Sequence, residues 1–308
     1  MPALSNAYER LRDVLRCPTC AGNVSATPAT LSCMSCGEVW NRPPDGHLDL
    51  LPRGWTAIAS PWSRRQDETC RYYSDLATRP AEAVEAFRSD LIPFSEILAR
   101  YTGTVLDLGG GHGMVREYLP PHTTYVSVDP STAWLDRRWD GLEADFPCLA
   151  VPLTFIRGIG EHLPFADAVF DRVLCLWALN HCADPQRALR EMCRVLKPSG
   201  TVFLVLEDGE PTWRELLSGQ GAHYLRPTPA QLLLAKTLAP FRGWPIQSDH
   251  LAIRHRALTR WTRPALHLHR RSWVGCYLAV EYERLPSPLT RTAGGADKLL
   301  DSGMAGRA

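Results

Sequence analysis

No stretch of this 308-residue sequence approaches the roughly 18 uninterrupted apolar residues of a membrane span, and its first 30 residues lack the apolar core of a secretory leader. A membrane-embedded or exported chain is therefore not expected; a cytoplasmic one is. Charge of one sign is also missing. With a formal net charge of +1, no global field draws the chain to nucleic acid or to a lipid surface, so any such partner needs a local patch. There is no internal repeat. Apolar residues, by contrast, make up 45% of the chain, which suffices for one large core and a small accessory module.

The ten cysteines do not read as a disulfide framework. Cys70, Cys148, Cys175, Cys182, Cys193 and Cys276 are scattered through helix- and strand-like stretches, as suits reduced, buried thiols. The other four form two knuckles, Cys17-Pro18-Thr19-Cys20 and Cys33-Met34-Ser35-Cys36, separated by twelve residues. Four thiolates at that spacing close a tetrahedral zinc site. Saturated by sulfur, such an ion has no open position for catalysis, and its work is to fold a segment too small to bury its own core. Residues 16–53, punctuated by Gly and Ser without helical period, are read as this metal module.

Helical spacing marks residues 5–15, 67–77 and 80–101, the last opened by Pro80 at a first-turn position. From Thr104 onward, short apolar runs alternate with helical stretches: TVLDLG then HGMVREYL, YVSVD then STAWLDRRW, LTFIRG, FDRVLCLWAL then PQRALREMCRVL, and TVFLVLE. That alternation predicts a parallel sheet with crossovers on both faces. A helix near 229–240 and two strand-like runs, WPIQSDHLAI and SWVGCYLAVEYE, follow.

The stretch Val105 to Gly113 reads as a buried strand that ends in an acidic residue and enters a DxGxGxG loop, where glycine lets the backbone approach a bound nucleoside. About twenty residues on, YVSVD ends at Asp129, where a carboxylate can accept both ribose hydroxyls. The alternative for Asp129 is a cap on the following Ser131-Thr132 turn.

Downstream come Glu161-His162-Leu163-Pro164-Phe165, then Phe170-Asp171-Arg172-Val173, His181 ahead of Asp184-Pro185, and Leu189-Arg190-Glu191-Met192 leading into Arg194-Val195-Leu196-Lys197-Pro198-Ser199-Gly200. Over about residues 100–285 this run resembles the class I S-adenosylmethionine-dependent methyltransferases. The resemblance implies that Asp107, Gly109, Gly111 and Gly113 line the methionine end of the cofactor, that Asp129 binds its ribose, and that Ile159, Gly160 and Glu161 pass its adenine. Ile159 stands where many relatives carry an acid, and Ser199 where they carry a glycine. His112, inside the glycine loop, would cover the cofactor. Trp177 either walls the acceptor site or belongs to the core. His181 is the candidate general base, the alternative being that it and Asn180 tie down the loop before Asp184. Tyr72 and Tyr73 precede the sheet in a region that forms a lid in related enzymes, with packing as their plainer role.

The cysteine knuckles running into Asp45-Gly46 and Leu50-Leu51-Pro52 resemble the zinc ribbons ahead of some bacterial 23S rRNA guanine-N1 methyltransferases, except that Cys36 stands where a histidine is common. The expected architecture is an α/β fold, a doubly wound and mostly parallel seven-stranded sheet with an antiparallel edge strand, plus a small zinc ribbon. Its parts would be the ribbon at 1–54, a linker and helical lid at 55–101, the methyltransferase domain at 102–285 and a disordered tail at 286–308. The expected cofactors are S-adenosylmethionine and one structural zinc ion. The expected reaction is methyl transfer to an oxygen or nitrogen of a small biosynthetic acceptor.

The runner-up is an rRNA base methyltransferase, and a non-catalytic binding module stands behind both. RNA enters through residues 254–273, where Arg254, Arg256, Arg260, Arg263, Arg270 and Arg271 interleave with histidines and with Trp261 and Trp273. An anionic small acceptor or a solvated face fits that segment equally.

Overall fold

The computed structural model describes residues 7–43, 45–55, 71–135, 139, 141–207, 212–218, 255–274 and 277–286. Three short strands, β1 (Val24–Ala26), β2 (Thr30–Cys33) and β3 (Val39–Asn41), form an antiparallel sheet around the cysteine knuckles. The remaining strands are β4 (Leu48–Asp49), β5 (Thr104–Leu108), β6 (Thr124–Asp129), β7 (Thr154–Arg157), β8 (Phe170–Leu176), β9 (Leu196–Leu206), β10 (Leu266–Val274) and β11 (Tyr277–Arg284). They make one sheet in the order β10-β11-β9-β8-β5-β6-β7-β4.

The sheet corrects the expected strand count. The eighth strand is β4, which leaves the cysteine module and pairs parallel to the outer side of β7. The antiparallel strand also lies elsewhere than expected. β11 runs against both β9 and β10, so it sits one place inside the edge and β10 forms the edge. A tight hairpin must pair with itself antiparallel. Joining that hairpin to β9 through β11 restores β10 to the direction of the parallel set.

The α-helices are α1 (Ala7–Leu11), α2 (Pro80–Leu91), α3 (Ser95–Leu98), α4 (Pro185–Val195), α5 (Trp213–Leu217) and α6 (His255–Thr262). α4 forms where the sequence supplies every signal. Asp184 caps it by accepting from the Arg187 amide at 2.9 Å, Pro185 opens its first turn, and Ala188, Leu189, Met192 and Val195 turn one stripe inward. One expected crossover helix is instead a 3-10 turn, at Met114–Tyr118, and the described start of another, Thr132–Leu135, is 3-10. The first is short because Pro120 holds Leu119 extended, at φ −86° and ψ 152°.

Residues 71–76 of the expected 67–77 helix are helical. The expected helix near 229–240, the strand-like run WPIQSDHLAI and residues 287–308 lie outside the described residues. Among the described residues no helix is long and apolar enough to cross a membrane.

Two apolar layers cover the sheet. On one face Phe94, Leu98, Tyr101, Phe146 and Phe155 pack with α2. The other layer joins Leu15, Leu31, Trp40, Leu48 and Leu50 of the cysteine module to Leu106, Val128, Phe165 and Leu189 of the main sheet. The module and the sheet therefore share a core.

Candidate functional site

β5 has β6 on one side and β8 on the other, so the loops leaving β5 and β8 diverge and open a crevice at the carboxyl ends of the strands. The glycine loop fills its floor. Gly109, Gly111 and Gly113 have φ of +76°, +51° and +77°, a region costly for residues with a Cβ. A Cβ on Gly109 would also lie 2.3 Å from that of Ala178, and one on Gly111 would lie 3.0 Å from the Trp134 ring. The glycines at 109 and 111 are thus required by left-handed backbone and protein packing. Close approach of a ligand, the reason expected from the sequence, is not needed to explain glycine at either position.

Two buried carboxylates face this loop from adjacent strands. Asp107 on β5 accepts from the Tyr125 hydroxyl at 2.5 Å, and burial, only partly opposed by that bond, pushes its pKa up to about 6. Asp129 closes β6. Burial pushes its pKa up to about 7, against the backbone amides of Ser131 and Gly111 and the Trp134 indole, which all donate to it. The turn-capping alternative for Asp129 is seen: one of its oxygens accepts from the Ser131 amide at 2.8 Å.

Around the loop stands an aromatic enclosure. His112 is buried, with ring centroids 5.2 Å from Phe87, 5.2 Å from Trp134 and 4.8 Å from Trp139. Its Nε2 has no partner among the described residues. Burial, with Arg116 nearby, drives the His112 pKa down to about 3, so the ring stays neutral and cannot act as a base cycling near pH 7. Tyr73 covers Trp134 at 4.4 Å and stacks parallel to Phe87 on α2.

Across the crevice, Trp177 follows β8 with φ +56° and packs between Phe94 and Tyr277 at 5.9 and 5.5 Å. Its buried indole nitrogen also lacks a partner among the described residues. Trp177 thus combines a left-handed backbone with an orphaned donor at the carboxyl end of a central strand. His181 stands nearby in the turn Leu179–His181, with Nε2 3.7 Å from a Glu207 carboxylate oxygen at the end of β9.

The third segment is the turn after β7. Ile159 is buried, and Gly160 lies where a Cβ would meet Leu108 at 2.8 Å and Ala188 at 3.1 Å. Glu161 faces inward. One of its oxygens accepts from the Asp184 amide at 3.0 Å and its carbonyl accepts from Arg187 Nε at 2.9 Å, so it fastens this turn to the start of α4.

Sequence reasoning missed Tyr125 and Trp134. A lone tyrosine inside the apolar run YVSVD signals a hydroxyl in need of a buried partner. Nothing local in the sequence pointed Trp134 at Asp129.

The four cysteines converge beside the turn after β7, where Pro18 of the first knuckle meets His162. Their sulfurs all lie within 4.8 Å of one another, with Cys17 3.7 Å from Cys36 and Cys20 3.4 Å from Cys33. A tetrahedron with arms of ~2.3 Å has edges of ~3.8 Å, so the donor set fits one zinc ion. Cys36 completes the quartet, and no histidine is needed.

The basic segment is divided. Arg271 is committed to Glu215 through bonds of 2.6 and 3.0 Å, whereas His267, His269 and Arg270 are exposed on β10. Arg254 lies outside the described residues.

Residues 106–204, running from β5 into β9, match a family model described as a methyltransferase domain. The chain is 32% identical over 124 residues to a demethylmenaquinone methyltransferase of Streptomyces griseus, covering 37% of this chain and 51% of that protein. It is 32% identical over 166 residues to the enzyme of the same name from Paenarthrobacter aurescens, covering 48% and 58%. The chain thus spans about half the length of these two curated relatives. Among solved structures, the 1,6-didemethyltoxoflavin-N1-methyltransferase of Burkholderia thailandensis aligns over 74% of this chain and 92% of its own, at 16% identity and a TM-score of 0.46. The glycine loop and the paired carboxylates of the crevice lie within the residues that match the methyltransferase-domain model.

Proposed function

We propose that this chain transfers the methyl group of S-adenosylmethionine to a small-molecule acceptor of quinone type. The observation that carries the reading is the pair of buried carboxylates, Asp107 and Asp129, at the ends of adjacent parallel strands above a left-handed glycine loop, inside the stretch that matches a methyltransferase domain. Asp129 would accept the ribose hydroxyls. The loop from Gly109 to Gly113 would hold the methionine end, with His112 and Trp134 beside it. The turn Gly160–His162 would border the adenine. The sulfonium methyl is already activated, so what is asked of the chain is to hold the acceptor atom in line behind it. Trp177 and Tyr277, both half-buried, would offer apolar surface to an aromatic acceptor, and the names of the relatives add the quinone class.

His181 is the group suited to take a proton from the acceptor, and the Glu207 carboxylate beside it would stabilise the imidazolium that forms. The oxygen or nitrogen acceptor expected from sequence gives way here to a ring position of a quinone precursor, where removal of a hydroxyl proton would equally raise nucleophilicity. The four-cysteine site would carry structural zinc.

Incubating the full chain with methyl-labelled S-adenosylmethionine and, separately, a quinone-precursor extract and total RNA tests the proposal. Label is expected in the quinone fraction, with at least tenfold loss for Trp177→Ala. Label recovered only in RNA would transfer the acceptor role to the exposed β10 side chains, and label in neither would remove the catalytic reading.

A further inference from the structure

The segment that would border the adenine, residues 157–165, is held from both sides by the cysteine module. On one side the chain entering the first knuckle runs antiparallel to it. The Ala166 amide donates to the Val14 carbonyl at 2.8 Å, Leu15 bridges Phe165, the Arg16 amide donates to the Pro164 carbonyl at 2.9 Å, and His162 Nδ1 lies 2.8 Å from the Pro18 carbonyl. Pro18 lies between Cys17 and Cys20. Because a carbonyl only accepts, Nδ1 must carry the hydrogen, and the 3.3 Å approach of Arg187 to the same nitrogen is not a second hydrogen bond.

On the other side the chain leaving the module lies along β7. The Leu50 amide donates to the Arg157 carbonyl at 2.8 Å, and the Arg157 guanidinium spans Asp49 at 2.9 Å and the Pro130 carbonyl, next to Asp129, at 3.2 Å. Within the module, Glu38 ties the two arms together. Its carboxylate accepts from the Thr19 hydroxyl in the first knuckle and from the Arg53 amide in the exit segment, while its carbonyl accepts from Cys33 in the second knuckle. Both arms therefore end on the four-cysteine cluster.

We propose that the cysteine module is a positioning element for the cofactor, with His162 and Arg157 as the residues that carry the constraint, so that metal in the four-cysteine site and cofactor in the crevice bind cooperatively. The inference rests on the cofactor reading above. The mechanism is geometric. Filling the four-sulfur site fixes the Pro18 carbonyl and the Glu38 brace, and these fix residues 157–165. A cofactor that needs the segment in this position then spends less of its binding energy on ordering it. Coupling between two binding equilibria is reciprocal, so the cofactor must tighten the metal by the same factor that the metal tightens the cofactor.

The test uses the full, zinc-loaded chain and the demethylated cofactor product, S-adenosylhomocysteine. Its uptake is first measured by calorimetry. Zinc affinity is then measured by competition with a chromophoric chelator, with and without saturating S-adenosylhomocysteine. The ligand is expected to raise zinc affinity about tenfold, within the usual range of allosteric coupling. In His162→Ala, which keeps all four cysteines, zinc content should stay at one per chain while the coupling falls to within twofold of none. Uptake by the loaded chain with zinc affinity unchanged overturns the inference and leaves the cofactor site standing. Absence of uptake by the loaded chain removes the cofactor reading and this inference together. Full coupling retained in both His162→Ala and Arg157→Ala would also overturn it, since the link would then run elsewhere.

Discussion

Asp129 condenses the chemistry of the crevice into one titration. Its carboxyl, raised from an ordinary 3.8 to about 7 by burial, would be half protonated near neutrality without cofactor, and under the proposed function only its charged form would accept both ribose hydroxyls. S-adenosylhomocysteine should therefore bind about tenfold more weakly at pH 6 than at pH 8, as the fraction of competent protein falls. Asp129→Asn should bind weakly and without that pH slope. Calorimetry at both pH values for both proteins checks this, and a flat profile for the unsubstituted chain would reassign the carboxylate. The stability effect has the opposite sense. A raised carboxyl pKa favours the protonated native state, so the contribution of Asp129 is fully present below about pH 4 and is lost as pH rises through about 7.

At this scale the sequence was informative wherever residue type alone restricts chemistry. Four cysteines in two knuckles, or a carboxylate at the end of a buried strand, have few other readings. It was silent on Trp134 and His162, whose partners Asp129 and Pro18 are set by how distant turns come to rest.

Among the elements, the short ladder between residues 14–16 and 164–166 does more than its length suggests. Leu15 and Phe165 are both fully buried, and Phe165 sits 4.8 Å edge-on to Phe170 at the start of β8. Phe165→Ala should cost ~3–5 kcal/mol of unfolding free energy, read from urea titration by the change in midpoint. A loss below about 1 kcal/mol would mean that the ladder is ornamental. The alternation of strand and helix was legible because it is local and periodic. β4 was not, since two residues carry no period, and only the side of β7 left open by the sheet order gives Leu48 and Asp49 something to pair with. The 3-10 turn at Met114–Tyr118 was read as a helix because apolar spacing alone cannot weigh a following Pro120 against it.

Taken whole, the molecule does not divide where the composition of its sequence changes. Trp40 and Leu31 of the cysteine module belong to the same buried layer as Leu106 and Leu189. One cooperative thermal transition is expected, in which circular dichroism of the sheet and release of zinc to a chelator share a midpoint. Two resolved transitions, with zinc lost in the first, would show that the shared layer does not couple the parts. The five parallel strands β5 to β9 and the four-sulfur site could be read from the sequence, and the edge hairpin only as the single run SWVGCYLAVEYE, whereas the bond between module and sheet could not, because each contact that makes it joins residues far apart in the chain.

That remoteness bears on the order of events during synthesis. The four cysteines span a separation of only 19 residues, from Cys17 to Cys36, whereas Asp49 waits 108 residues for Arg157 and Pro18 waits 144 for His162. Contacts of short range form early and those that close long loops form late. The knuckles can therefore close on a metal ion as soon as they are translated, whereas the ties that give their module a shared core with the sheet must wait for β7 and the turn after it.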